Sequence, residues 1–214
     1  ESHMTSFDAN ISGEAFKFGT ESVMMAAGVE YREEDVNDIP DDQFQRGLIF
    51  GTESVSAQAA RDQFAAYVEF SIPLAENLEL QLAGRYDDYS DFGTTTNPKV
   101  AFRWAPDDTV TVRASWAQGF RAPSLAQIGL GPSEKSQFFT DTYRCAATGQ
   151  DCGVLDYNIR FAGNQNLKPE ESESWNVGFI WAPIAEFGFG IDVWSITQDN
   201  KIAEQAFGPV YDAE

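Results

Sequence analysis

The chain has 214 residues, 34 acidic against 14 basic side chains and a net charge of −20, with 14% aromatic residues, 17 Phe, 17 Gly and 9 Pro. A surplus of carboxylates excludes binding along a nucleic-acid backbone, which needs Lys and Arg to neutralise phosphate. The aromatic and glycine content suits many strands and turns better than disorder or a coiled coil, and it predicts an all-β fold.

Glu1-Ser2-His3-Met4 lacks the basic region and apolar stretch of a signal peptide. It reads as a remnant of recombinant expression, which leaves residues 5–214 for the fold and any export signal upstream. A first, weak strand runs over Ile11 to Phe18. Gly19-Thr20-Glu21-Ser22 then turns the chain into a strand with Val23, Met25, Ala27, Val29 and Tyr31 on one face. Glu33, Glu34, Asp35, Asp38, Asp41 and Asp42 follow, and their mutual repulsion favours an extended, solvated loop over residues 36–62. Such a cluster of oxygen ligands could hold a divalent cation, but its spacing does not fit an EF-hand and solvated charge explains it fully.

Val68, Phe70 and Ile72 then alternate with Tyr67, Glu69 and Ser71, and after a turn at 74–77 Leu78, Leu80 and Leu82 alternate with Glu79, Gln81 and Ala83. A loop is expected at 90–96. Val100, Phe102 and Trp104 then share a face opposite Lys99, Ala101 and Arg103. Past Pro106-Asp107-Asp108, a strand over 109–119 sets Val110, Val112, Ala114 and Trp116 against Thr111, Arg113, Ser115 and Ala117. The longest loop spans 121–171. Trp175, Val177, Phe179 and Trp181 mark a strand over 172–182, and after a turn at 183–186 Phe187, Phe189, Ile191 and Val193 mark the last.

The count is eight antiparallel strands in an up-and-down meander, joined by short turns at one end and longer loops at the other. No window holds the roughly 18 apolar residues of a transmembrane helix, and mean hydropathy is −0.34. A transmembrane β-strand needs only about 9 to 11 residues with every second one apolar, so strands in an outer-membrane barrel escape that criterion. Alternation alone does not separate such a barrel from a soluble β-sandwich or adhesin-like binding module, because both have one apolar face. The loop asymmetry favours the barrel. So do aromatic residues near both strand ends, Trp104 and Trp181 at the short-turn end and Tyr31, Tyr86, Tyr89, Trp116 and Phe120 at the other.

His3 is the only histidine, so no Ser-His-Asp triad, imidazole base or His-rich zinc site can be assembled, and no phosphate-cradling glycine loop is present. No catalytic constellation is found, no cofactor or metal is implied, and the chain does not read as an enzyme. Cys145 and Cys152, within the longest loop, are most simply a disulfide closing a small ring in an oxidising compartment, worth about 2 to 3 kcal/mol.

Gly119-Phe120-Arg121-Ala122-Pro123-Ser124 and Asn166-Leu167-Lys168-Pro169-Glu170-Glu171-Ser172, on either side of the long loop, resemble two barrel motifs of TonB-dependent outer-membrane receptors. Gly28-Val29-Glu30-Tyr31-Arg32, Gly84-Arg85-Tyr86-Asp87-Asp88-Tyr89-Ser90 and Asn97-Pro98-Lys99-Val100 are similar to that family too, in its order. The resemblance implies a slice of a 22-stranded transmembrane barrel in the outer membrane of a Gram-negative bacterium, surrounded by lipid. It implies import of a scarce small ligand such as a ferric siderophore, cobalamin, haem or glycan, energised by the TonB complex through an N-terminal plug. Plug and TonB box are absent from this sequence. Eight strands of 22 leave two open edges, through which the isolated piece is expected to pair with another copy or to close on itself. By loop position, Phe138, Phe139, Tyr143, Arg144 and Tyr157 are the candidate ligand contacts.

Overall fold

The structure, a computed structural model, describes residues 1–46, 48, 55–150 and 152–204. Eight of its strands form one antiparallel sheet in the order β1-β2-β3-β4-β5-β6-β9-β10, with β1 Ser2–Phe18, β2 Glu21–Asp38, β3 Ala57–Ala75, β4 Leu78–Tyr89, β5 Gly93–Asp107, β6 Val110–Arg121, β9 Glu170–Ile184 and β10 Phe187–Asp199. Neighbours in sequence are neighbours in the sheet, apart from an insertion between β6 and β9. That insertion carries helix α2 (Leu125–Gly129), strand β7 (Ser133–Phe139), helix α3 (Thr142–Thr148) and strand β8 (Leu155–Phe161), and β7 and β8 make a separate two-stranded sheet. Helix α1 (Asp42–Gln45) follows β2.

Four connections, at Gly19-Thr20, Glu76-Asn77, Asp108-Thr109 and Ala185-Glu186, are two-residue turns at one end of the meander, as the pattern predicts. Local chemistry fixes them. At the β5–β6 turn the Asp107 carboxylate accepts from the Thr109 amide (2.7 Å), the Thr109 hydroxyl (2.6 Å) and the Val110 amide (3.1 Å). Beside three of these turns the ladder shifts register, between Pro73 and Ala75, between Trp104 and Asp107, and between Phe187 and Phe189. Pro73, Pro106 and Pro183 sit there, where a residue without an N–H is tolerated.

The pairing keeps each apolar series on one face: Leu80, Phe102, Ala114 and Val112 lie in neighbouring positions across β4, β5 and β6, and Val112 is opposite Phe179 on β9, itself opposite Ile191 on β10. Among the described residues of this sheet's own unit, no second sheet packs against them. Trp175, Val177 and Trp181 expose 43%, 49% and 43% of their surface. A β-sandwich needs two sheets burying their apolar faces against each other, so the soluble-sandwich alternative is overturned. Among the described residues β1 and β10 are opposite edges with no pairing between them, so the expectation that the piece closes on itself is also not met.

Several boundaries differ from the sequence expectations. The first strand starts at Ser2, not Ile11, and Glu1 exchanges two main-chain hydrogen bonds with Asn37, 2.8 and 2.7 Å. The acidic run is strand rather than loop through Asp38, because Glu34 is held by Arg61 across the sheet at 2.8 Å. Asp41 caps α1, its carboxylate accepting from the Gln43 amide. The connection expected at 90–96 is only Ser90-Asp91-Phe92, with Gly93 at φ +93° absorbing the sharp turn.

Candidate functional site

Two compact units carry the polar features. The first comprises residues 5–33, 62–123 and 167–214, the body of the sheet. Its polar face bears a chain of charges in which Arg85 reaches Glu30 at 3.2 Å and Asp87 at 2.8 Å, Glu30 also pairs with Arg32, and Gln63 donates to Asp87 at 3.2 Å. Asp87 is fully buried even in the open sheet, and these partners are what permit it. Further along, Arg113 forks onto Asp192 with two bonds of 2.8 Å, passing over Gly178 on the strand between them. A side chain at Gly178 would meet Asp192 Oδ1 and come within 2.6 Å of Arg113 Nε.

At the loop end of this unit the two motifs flanking the insertion come into register, Gly119 opposite Ser172 and Arg121 opposite Glu170. Glu170 is buried, and its carboxylate accepts from Arg121 Nε and Nη2 at 2.6 and 2.7 Å and from the Ile202 amide at 2.7 Å. This pair lies five residues beyond the facing Trp116 and Trp175 that end the apolar band. First the Arg121 guanidinium, then the Ile202 amide, pull the Glu170 carboxyl down to about 2. Neither motif by itself shows that its charge has a partner in the other. The available signal was one opposite charge in each string bracketing the loop.

Beside this pair the β5–β6 ladder stops at Lys99 opposite Ala117, next to Pro98, which has no N–H to donate. The strands part there around a polar recess of about 300 Å³ lined by Thr94, Asn97, Gln118, Glu171, Glu173 and Asp199.

The second unit comprises residues 1–4, 34–61 and 124–166 and holds every predicted ligand contact. Ser124 and Gln127 cap α2 reciprocally, side chain to main chain in both directions, at 3.1 and 2.8 Å, and Leu125 and Ile128 are buried. β7 and β8 then form a hairpin from Ser133 opposite Phe161 to Phe139 opposite Leu155. Phe139 and Tyr157 stack at 4.2 Å on one face of it, while Phe138, opposite Asp156, faces the other way and is 69% exposed. Tyr143 and Arg144 lie on α3 at the tip, both exposed, with the Arg144 amide bonded to the Asp141 cap at 2.7 Å. The structure thus joins Phe139 to Tyr157 and distributes the other three over the opposite face and the tip. Cys145 and Cys152 are bonded, as expected, Cα atoms 4.8 Å apart, which ties α3 to the start of the returning chain. Among the described residues no group of three or more His, Cys, Asp or Glu side chains is arranged to hold a metal ion.

Comparison with known proteins gives a consistent result. A family model described as TonB dependent receptor-like, beta-barrel, matches residues 2–213. The iron-regulated outer membrane virulence protein of Vibrio cholerae serotype O1 is 26% identical over 159 residues, covering 74% of this chain and 20% of the relative. The ferric enterobactin receptor PirA of Pseudomonas aeruginosa is 26% identical over 165 residues, covering 72% and 20%. The chain therefore spans about a fifth of the length of the curated relatives it matches. Among solved structures, a mutant of the ferric enterobactin receptor PfeA from Pseudomonas aeruginosa in complex with enterobactin superposes with a TM-score of 0.68 at 20% identity, over 94% of this chain and 28% of that one. The siderophore receptor PirA from Acinetobacter baumannii gives 0.66 at 18% identity, over 94% and 27%. At such identities the structural likeness speaks for the fold.

Proposed function

The chain belongs to the TonB-dependent receptor β-barrel family of the Gram-negative outer membrane, and from that premise we propose that the full-length protein imports a ferric siderophore, with this segment supplying wall strands and surface loops. One observation carries the reading: a continuous sheet with an uncovered apolar face, a charge-lined polar face, two-residue turns at one end and a folded insertion at the other. Such a sheet is stable in a bilayer only as part of a closed barrel with lipid on its apolar face. The curated relative named a ferric enterobactin receptor supports the ligand class. The TonB complex is the energy-coupling partner, acting on a plug supplied by other parts of the protein.

Phe139 and Tyr157, with Tyr143 and Arg144 at the tip and Phe138 on the reverse face, are the residues proposed to meet ligand. Aromatic rings and a cation suit an anionic ferric chelate that carries aromatic arms.

The test is uptake by the full-length protein in cells lacking their own siderophore receptors, with iron-labelled ferric enterobactin, a hydroxamate chelate and haem offered in turn. Energy-dependent uptake of a siderophore chelate, abolished without TonB, is the expected outcome. Uptake of haem alone, or TonB-independent uptake, would overturn it.

A further inference from the structure

Within the loop unit, three separate stretches of main chain meet more closely than side chains would permit. A Cβ at Gly129, the last residue of α2, would fall 2.6 Å from Ala59 Cβ and against the carbonyl of Gln58. A Cβ at Gly163 would fall 2.7 Å from the Leu130 nitrogen and 2.9 Å from the Gln127 oxygen. These approaches are used for bonding. The Gly131 amide donates to the Ser56 carbonyl at 2.7 Å, the Gly163 amide to Leu130 at 2.8 Å and the Asn164 amide to Gln127 at 3.0 Å, while Ala57 and Leu130 form an isolated antiparallel bridge. Most real Cβ atoms never approach backbone so closely, so in each case the main chain itself would have to move.

The position of this junction gives it a consequence. Gly131 lies two residues before β7 and Gly163 two residues after β8. Both feet of the aromatic hairpin are therefore anchored, through Leu130 and Gly131, to the chain entering β3. Ser133, at the first rung, is buried and donates back to the Gly131 carbonyl at 3.2 Å. Beyond that rung the hairpin is held by its own ladder and by the Cys145–Cys152 bond at its tip.

We infer that Gly129 and Gly163 are positioning residues: they let the stretches 56–59 and 163–164 clamp α2, so that the β7–β8 hairpin and the start of β3 behave as one body and the pose of Phe139 and Tyr157 is set from the neighbouring loop. The consequence for ligand capture rests on the import reading above. The clamp itself does not.

The experiment uses the full-length receptor in outer-membrane vesicles, as wild type, Gly129→Ala, Gly163→Ala and the control Gly153→Ala, where a Cβ meets nothing within 4 Å. Hydrogen exchange is followed at residues 55–60, 127–131 and 163–164, and the concentration dependence of ferric enterobactin uptake is measured in cells. Either clamp substitution is expected to accelerate exchange in all three stretches together by about tenfold or more, leaving β4 to β6 unchanged. It is also expected to raise the half-saturating chelate concentration with the maximal rate preserved, while Gly153→Ala changes neither. Faster exchange only around the substituted residue, with the other stretches still protected, would overturn the clamp. An opened clamp with an unaltered uptake curve would overturn its role in positioning. A wild-type receptor that takes up no ferric enterobactin would count against that ligand, and the exchange data would still decide the clamp.

Discussion

Glu170 accepts three hydrogen bonds at the foot of the insertion, and its carboxyl sits at about 2 rather than the ordinary 4.5. A folded-state value below the unfolded one means that the contribution is whole above about pH 4.5 and is lost as pH falls through about 2. Protection of the Ile202 amide and of the rungs near Arg121, measured against the intrinsic exchange rate at each pH, should therefore fall between those limits in wild type. In Glu170→Gln, where no charge is left to titrate, it should be nearly flat with pH. Gly178 offers a second residue-scale test. Valine there would push into Arg113 and Asp192 and should cost about 1–3 kcal/mol in urea unfolding, with Gly178→Ala at the low end. In the loop unit, replacing both cysteines by alanine should cost the insertion about 2 kcal/mol. Limited proteolysis would read it as faster cleavage between α3 and β8, with the sheet unaffected.

The element scale shows what was legible in the sequence and what was not. Alternation over Val110 to Trp116 and Trp175 to Trp181 was enough to predict β6 and β9 and their faces, because one face is apolar throughout. Thr94-Thr95-Thr96 is strand too, but polar on both sides, so it carries no phase and reads as loop. The same holds for the acidic end of β2, while in Ser2 to Asn10 of β1 the apolar Met4 and Phe7 fall on opposite phases and mark no face. β7, with Ser133, Ser136 and Gln137 before its two phenylalanines, gives no alternation, and its partner β8 lies some twenty residues away. The Phe139–Tyr157 stack depends on that pairing, and the Arg121–Glu170 pair on the β6–β9 register across the whole insertion. Neither is a local property of sequence. The faces themselves can be tested by charge. Val177→Arg, on the apolar face, should cost about 2–4 kcal/mol in the membrane-inserted receptor, whereas Asn176→Arg, one residue away on the polar face, should be tolerated, with folding read by heat-modifiable gel mobility.

For the whole molecule, among the described residues the eight-stranded sheet leaves β1 and β10 as edges that pair with no further strand and one apolar face uncovered. Isolated in water, such a sheet is expected to pair edge to edge with further copies, and in detergent to give discrete oligomers by light scattering. In the full-length barrel proposed above, those edges would pair with neighbouring strands of the same wall. The most direct test of that wall is depth-resolved spin labelling of the full-length receptor in bilayers, one cysteine at a time, along residues 110–117 of β6 and 174–181 of β9. Oxygen accessibility should peak at 112, 114, 175, 177 and 179 and fall at 113, 115, 176 and 178, two residues per period on both strands. Labels equally accessible to water-soluble relaxant at successive positions, or the opposite phase on either strand, would contradict the account.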